Sequence, residues 1–234
     1  MGQIKRSHPR NIKFTVGVNP YAAGSVMAEF GNTKVLITAT IEPTIPPWLI
    51  GQGKGWITAE YSMLPGSTHT RSKRETKGLS GRTQEIQRLI GRSLRSVVNL
   101  KKLGERSIIV DCDVLVADGG TRTTSISGAF VALRFAIKTL LMSGKLVEDP
   151  ITDGLAAISV GVDKTGSILA DLNYEEDSSC EVDMNVVMTE SGKFVEIQGT
   201  GEEKPFSADH LNDLLSCAKS ALEKVFEEQN KVFG

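Results

Sequence analysis

Short β-branched runs separated by turn residues open the chain: Phe14 to Val18, Ser25 to Phe30 and Lys34 to Ile41, the last two joined by Gly31-Asn32. They read as antiparallel strands. Pro43, Pro46 and Pro47 with Gly51, Gly53 and Gly55 break the pattern into a loop before strand character resumes at Trp56 to Leu64. From Pro65 to Gly81 apolar residues almost vanish. Ile86, Leu89, Ile90, Leu94 and Val97 then recur at steps of three and four, which predicts an amphipathic helix over Arg82 to Leu100 with Ser80 as its cap. Ile108, Val110, Cys112, Val114 and Val116 alternate along a strand that runs into Asp118-Gly119-Gly120, and a second, more apolar helix is expected from Ser125 to Met142.

Beyond Pro150 the pattern gives two hairpins, Ala156 to Val162 with Ser167 to Asn173, and Val182 to Met188 with Lys193 to Gln198. A last helix starts at Ser207 and puts Leu211, Leu214, Leu215, Ala218, Leu222 and Val225 on one face. Many strands and three long helices make an α/β chain, either one large domain or two lobes sharing a core, with divisions expected at 11–145 and 151–230.

Composition narrows the function classes. With 40% hydrophobic and 24% charged residues the chain is globular. Its 27 Lys and Arg nearly balance 28 Asp and Glu, so an attraction for a polyanion has to be local. Cys112, Cys180 and Cys217 are odd in number and lack a C-x-x-C pair, which fits a reducing cytoplasm better than a disulfide or thiolate zinc framework. Arg134 and Lys138 interrupt the most apolar helix candidate, and no membrane span is expected. The basic Met1 to Arg10 stretch is not followed by the apolar core of a secretion signal, and Arg6 stands where myristoylation of Gly2 wants Ser or Thr.

Four groups of residues carry candidate chemistry. In Asp118-Gly119-Gly120-Thr121-Arg122 a strand hands over to a helix, where glycines let backbone N–H groups converge on an anion at the positive helix end. Thr121 adds a hydroxyl and Arg122 a planar fork of donors suited to phosphate. Arg82, at a helix start and at the edge of its apolar stripe, is an unfavourable place for a cation unless an anion lies beside it, whereas Arg88, Arg92 and Arg95 fall on the opposite, solvated side. Asp171, Glu175, Glu176, Asp177, Glu181 and Asp183 form either a solvated acidic turn or a hard-cation site for magnesium or manganese, with Asp183 fixed by a strand pattern. Finally, His69 to Lys77 holds four cations against one carboxylate, the footprint of a loop that grips a nucleic-acid backbone. Histidine spacing supports neither a triad nor a zinc hydrolase, and no serine sits in a Gly-x-Ser-x-Gly elbow.

Assembled, these segments closely resemble the ribonuclease PH family of phosphorolytic 3′ to 5′ exoribonucleases. The resemblance runs from about Ala22 to the last helix and rests on Gly55 to Pro65, Gly81 to Arg92, Asp111-Cys112-Asp113, Ala117 to Arg122, Glu176-Asp177 and Val182 to Asn185. It implies a ribosomal protein S5 domain 2-like fold with mixed sheets and a ring of six identical subunits, a trimer of dimers. It implies that Arg82, Gly120, Thr121 and Arg122 hold inorganic phosphate as co-substrate. Asp177 and Asp183 would be the catalytic pair that holds Mg2+ or Mn2+ or assists proton transfer, and Arg71, Lys73 and Arg74 would guide RNA. The implied activity removes 3′ nucleotides from precursor tRNA and rRNA as nucleoside diphosphates. The alternatives are a non-catalytic RNA-binding ring subunit and a metal-dependent hydrolytic ribonuclease.

Two departures from the family pattern stand out. The usual Asp-Gly-Arg element near the N-terminus is replaced by Gln3-Ile4-Lys5-Arg6-Ser7-His8-Pro9-Arg10, which puts an N-terminal contribution to the site in question. Gly66 stands where relatives often carry arginine, one cation fewer on the expected RNA path.

Overall fold

The computed structural model describes residues 4–202 and 204–234, so Met1 to Gln3, with the Gly2 reading and the first residue of the atypical segment, lie outside the described residues. Strands β1 (Ile4–Arg6), β2 (Ile12–Val16), β3 (Gly24–Phe30), β4 (Thr33–Glu42) and β5 (Trp56–Met63) come first, then α1 (Gly81–Ser96) and a single turn, α2 (Leu100–Leu103). Next are β6 (Ser107–Val116) and α3 (Thr121–Met142), followed by β7 (Leu155–Val162), β8 (Ile168–Ala170), α4 (Tyr174–Ser179), β9 (Val182–Thr189), β10 (Phe194–Gly201) and α5 (Ala208–Phe233). This is the α/β architecture of mixed sheets and packed helices expected from the sequence.

One sheet has the order β2-β3-β4-β6-β5, with β5 parallel to β6 and the other pairs antiparallel. The other has the order β1-β8-β7-β9-β10, with β1 parallel to β8. Alternation decides the faces: Val35, Ile37 and Ala39 of β4 point inward while Lys34 and Thr40 stay wet. Between the sheets lies α3, packed on β3, β4 and β7, within one continuous apolar core that takes residues from both. Gly128 permits that crossing, because a Cβ there would come within 2.3 Å of Ile37 Cδ1. A buried polar link ties three elements together. Ser127 Oγ of α3 donates to Ala157 O of β7 and accepts from Ala157 N, while Gln229 of α5 donates to Ser127 O and Leu155 O.

Several sequence expectations shift for identifiable reasons. The helix α3 begins at Thr121, four residues before the expected Ser125, because Thr121 to Thr124 are polar and leave no apolar signature. By length and composition α3 could cross a bilayer despite Arg134 and Lys138; it is instead the core helix, with 67% of its most apolar 18-residue window buried. Ser80 does cap α1, accepting from Thr83 N, but that helix stops at Ser96 rather than Leu100, and Asn99 caps the separate turn α2. Arg95 is not solvated as expected: its guanidinium lies 4.3 Å over the Trp56 ring and donates to Ile57 O. The strand expected to reach Asn173 ends at Ala170, since Asp171 turns to φ 55° and Asn173 opens α4 with a capping box to Glu176. Part of the acidic run is therefore helix.

Candidate active site

The turn between β6 and α3 places the first group. Gly119 and Gly120 have φ of 72° and 64°, left-handed values that only glycine takes cheaply. The turn is tied on all sides: Thr33 Oγ1 accepts from Asp118 N and donates to Gly119 O, and Asn32 Nδ2 donates to Asp118 Oδ2. The first intrahelical bond of α3 runs from Thr124 N to Gly120 O, so the N–H groups of Thr121, Arg122 and Thr123 precede the helical ladder and mark a positive helix end. Thr121 is itself oriented. The buried Tyr61 hydroxyl donates to Thr121 Oγ1 at 3.0 Å, which occupies the acceptor side and leaves the threonine proton free to donate elsewhere. Burial pushes the Tyr61 phenol above its ordinary value and keeps it a donor.

Arg82, in the first turn of α1, opens into the same cleft as Gly120, Thr121 and Arg122. The cleft holds about 380 Å³, and Asp177 of α4 and Asp183 of β9 line it as well. Thus six residues singled out in the sequence, spread from position 82 to 183, face one space. Arg122 is aimed by Gln198 Oε1 at 2.6 Å and Glu85 Oε1 at 3.3 Å, its side chain only 15% exposed. Gln198 of β10 stands opposite Asn185 of β9, which also lines the cleft.

The two carboxylates are perturbed by their setting. Desolvation, then the charge of Asp177, raises Asp183 to about 6, against the pull of Arg122 and Arg82. Its Oδ1 is buried with no hydrogen-bond partner. Asp177, at the rim, is also raised by desolvation, which outweighs the arginines. The remaining members of the acidic run separate from this pair: Asp171 is fully buried against Arg10, Glu176 is held by Arg6, Glu175 faces solvent, and Glu181, half-buried, is not in the cleft wall.

Arg71, Lys73 and Arg74 are not part of the cleft wall. They lie on a fully exposed stretch whose beginning is anchored where Ala117 N donates to Ser67 O, and Thr68 of that same stretch lines the cleft. A wider opening of about 710 Å³, edged by Gly66, Thr68, His69 and Tyr174, continues from the cleft. Sequence reasoning did not single out Tyr61, Ser159, Tyr174 or Gln198. Asn185 was detectable as a site residue, since it follows Asp183 by two on a strand and must share its face.

Chemically, two guanidinium groups, a helix start and a freed hydroxyl face two carboxylates with a raised affinity for protons. Such a site can hold a small dianion on one side and a proton or hard cation on the other.

Residues 8–137 match the first domain of the 3′ exoribonuclease family and residues 154–221 its second. The chain is 59% identical over 227 residues to ribonuclease PH of Bacillus subtilis (strain 168), covering 96% of this chain and 93% of that protein. To ribonuclease PH of Bdellovibrio bacteriovorus it is 55% identical over 225 residues, covering 96% and 92%. Two solved structures share the fold: rice (Oryza sativa) Rrp46, with TM-score 0.79, 17% identity and 98% of each chain covered, and the Archaeoglobus fulgidus exosome with RNA bound to the active site, with TM-score 0.78, 21% identity and coverage of 95% and 89%. A cleft that pairs arginines from two helix starts with two strand-and-helix aspartates thus sits in a chain that belongs, over both of its domains, to the 3′ exoribonuclease family of ribonuclease PH.

Proposed function

We infer that the protein is a phosphorolytic 3′ to 5′ exoribonuclease, a nucleotidyltransferase that uses inorganic phosphate to shorten RNA, with its chemistry in this cleft. The observation that carries the reading is the meeting of Arg82 and Arg122 at the start of α3. Arg82, Gly120, Thr121 and Arg122 bind phosphate, the arginines by charge and the helix start by its N–H groups. A phosphate oxygen attacks the phosphorus of the last phosphodiester, the bond from that phosphorus to the 3′ oxygen of the shortened RNA breaks, and a nucleoside diphosphate leaves. The departing 3′ oxygen requires a proton. Asp183, ionising near pH 6, is suited to hold one close to the reacting groups. The reverse reaction adds a nucleotide and releases phosphate.

Asp177 and Asp183 also fit a divalent cation, because Asp183 presents a buried oxygen that nothing else satisfies. Among the described residues no cluster of three or more His, Cys, Asp or Glu is arranged as a metal cage. Two carboxylates with water and substrate phosphate completing the shell is the manner of Mg2+, with Mn2+ as the alternative. Bound there, the cation would offset charge on the phosphoryl oxygens.

Arg71, Lys73 and Arg74 guide RNA toward the cleft, a role supported by their charge and by their exposure on the stretch that carries Thr68. Precursor tRNA and rRNA are the substrates the family suggests. A homohexamer, the assembly the family resemblance implies, is supported by exposed apolar side chains, among them Tyr21, Trp48, Ile50, Met142 and Val147, that assembly would cover. The two family matches, ending at 137 and resuming at 154, support lobes at 11–145 and 151–230. Three free, buried cysteines support a reducing cytoplasm.

The test is incubation of a 3′-tailed RNA with and without phosphate, followed by identification of the released nucleotide. Diphosphates formed only with phosphate are expected. Monophosphates in either condition would make the protein a hydrolase, and no nucleotide in either would make it an RNA-binding scaffold.

A further inference from the structure

The floor of the Gly119-Gly120 turn is a buried ion pair, Arg10 with Asp171, whose cation comes from the segment whose contribution the sequence left in question. Asp171 is fully buried and is the one non-glycine with positive φ among the described residues, at 55°. Backbone strain of that kind persists only where surrounding contacts hold it. Here they are plain: Asp171 N donates to Ser159 O, and Arg10 donates from its backbone N and its Nε to Asp171 Oδ2 and from Nη2 to Asp171 Oδ1. The remaining nitrogen, Nη1, donates to Asp118 O at 2.6 Å. One guanidinium therefore joins β8's end to the β6–α3 turn, two pieces of backbone from different sheets. A Cβ built on Gly120 would stand 3.5 Å from Asp171 Oδ1 and 3.6 Å from Arg10 Nη2, so the turn rests directly on the pair.

That placement has an electrostatic consequence. A bare carboxylate beneath a phosphate-binding turn would repel the dianion the turn is built to hold, and burial would keep water from screening it. Arg10 cancels that charge and fixes the turn at once. We propose that Arg10, through its ion pair with Asp171, is a positioning residue that sets the geometry and the potential of the phosphate-binding turn. It touches neither phosphate nor RNA. The proposal rests on the reading of the cleft as a phosphate site.

The experiment is steady-state phosphorolysis by the full chain, with KM for phosphate and KM for RNA measured separately. Variants are Arg10→Gln, Arg10→Lys, the double variant Arg10→Gln/Asp171→Asn, and Arg122→Ala as the control on the reading itself, each checked by circular dichroism at the assay temperature. Arg10→Gln is expected to raise the phosphate KM by about tenfold or more while leaving the RNA KM within about twofold, since it exposes the phosphate to an uncompensated buried charge. Removing that charge in the double variant should restore a large part of the loss. Should Arg10→Gln fail to fold, Arg10→Lys carries the test: one ammonium cannot span both Asp171 oxygens and Asp118 O, and a several-fold rise in phosphate KM is expected. A wild-type phosphate KM in a folded Arg10→Gln or Arg10→Lys, or an equal rise in both KM values, would overturn the proposal. If Arg122→Ala leaves phosphate dependence unchanged, the site reading itself fails; if only that variant responds, the reading stands and the role of Arg10 falls.

Discussion

Replacing Asp183 by Asn should make the protein more stable and much less active, with a stability gain that depends on pH. Desolvation raises this carboxyl from 3.8 to about 6 in the folded chain. The sign follows from proton binding: between those values the folded state holds a proton that the unfolded state has lost, so unfolding free energy falls as pH rises through that window. Below pH 3.8 both states are protonated and the residue costs nothing through this route; above pH 6 the full cost is present. Converted at 1.36 kcal/mol per pH unit, the cost is about 3 kcal/mol at neutral pH. Asparagine keeps the shape and removes the charge. Urea unfolding at fixed protein concentration, in phosphate-free buffer with chelator so that no ligand stabilises one state, should therefore show Asp183→Asn about 2 to 3 kcal/mol more stable at pH 7.5 and little changed at pH 4. In the same preparation phosphorolysis should drop by two orders of magnitude or more, about the contribution of a positioned acid or base. A gain of equal size at both pH values, or a loss at pH 7.5, would show that burial of this charge is not what strains the site.

Other substitutions separate the parts of the cleft. Arg122→Ala should weaken phosphate binding by about 1.5 to 3 kcal/mol, read as a rise in phosphate KM of roughly tenfold or more, because charge-assisted hydrogen bonds are lost. Tyr61→Phe removes the bond that orients Thr121 and should raise the phosphate KM several-fold, about 1 kcal/mol, with RNA KM unaltered. Replacing Arg71, Lys73 and Arg74 together by Ala should raise RNA KM and flatten its logarithmic salt dependence by about 2, the slope expected for three phosphate contacts on a single strand, while phosphate KM stays put. An unchanged salt slope would remove those residues from the RNA path.

Elements whose apolar residues repeat were legible before any coordinates. The facing positions of α1, the alternation of β6 and the stripe of α5 each follow from burial on one side. What escaped was structure made by polar contacts. The helix α4 is built by a capping box among residues that look like a solvated acidic turn, and β1 is three residues long, with no room for a period. For Arg95, a helical wheel gives its angle but not the Trp56 ring that covers it. The site divided in the same way. Arg82 announced itself by the cost of a cation at a helix start and Arg122 by the glycine turn before it, while Tyr61 and Gln198 read as ordinary strand residues because their value lies in what they hold in place.

Residues far apart in the sequence close one framework behind the cleft. Strand β1 pairs with β8 across more than 160 positions, and Gln229, near the last turn of α5, closes the polar gap that Ser127 and Leu155 otherwise leave in the interior. Without Gln229 the carbonyls of Ser127 and Leu155 would each lose a partner in the interior, and Ser127 lies on the same helix whose first turn carries Arg122, so a contact remote from the cleft bears on the element that opens it.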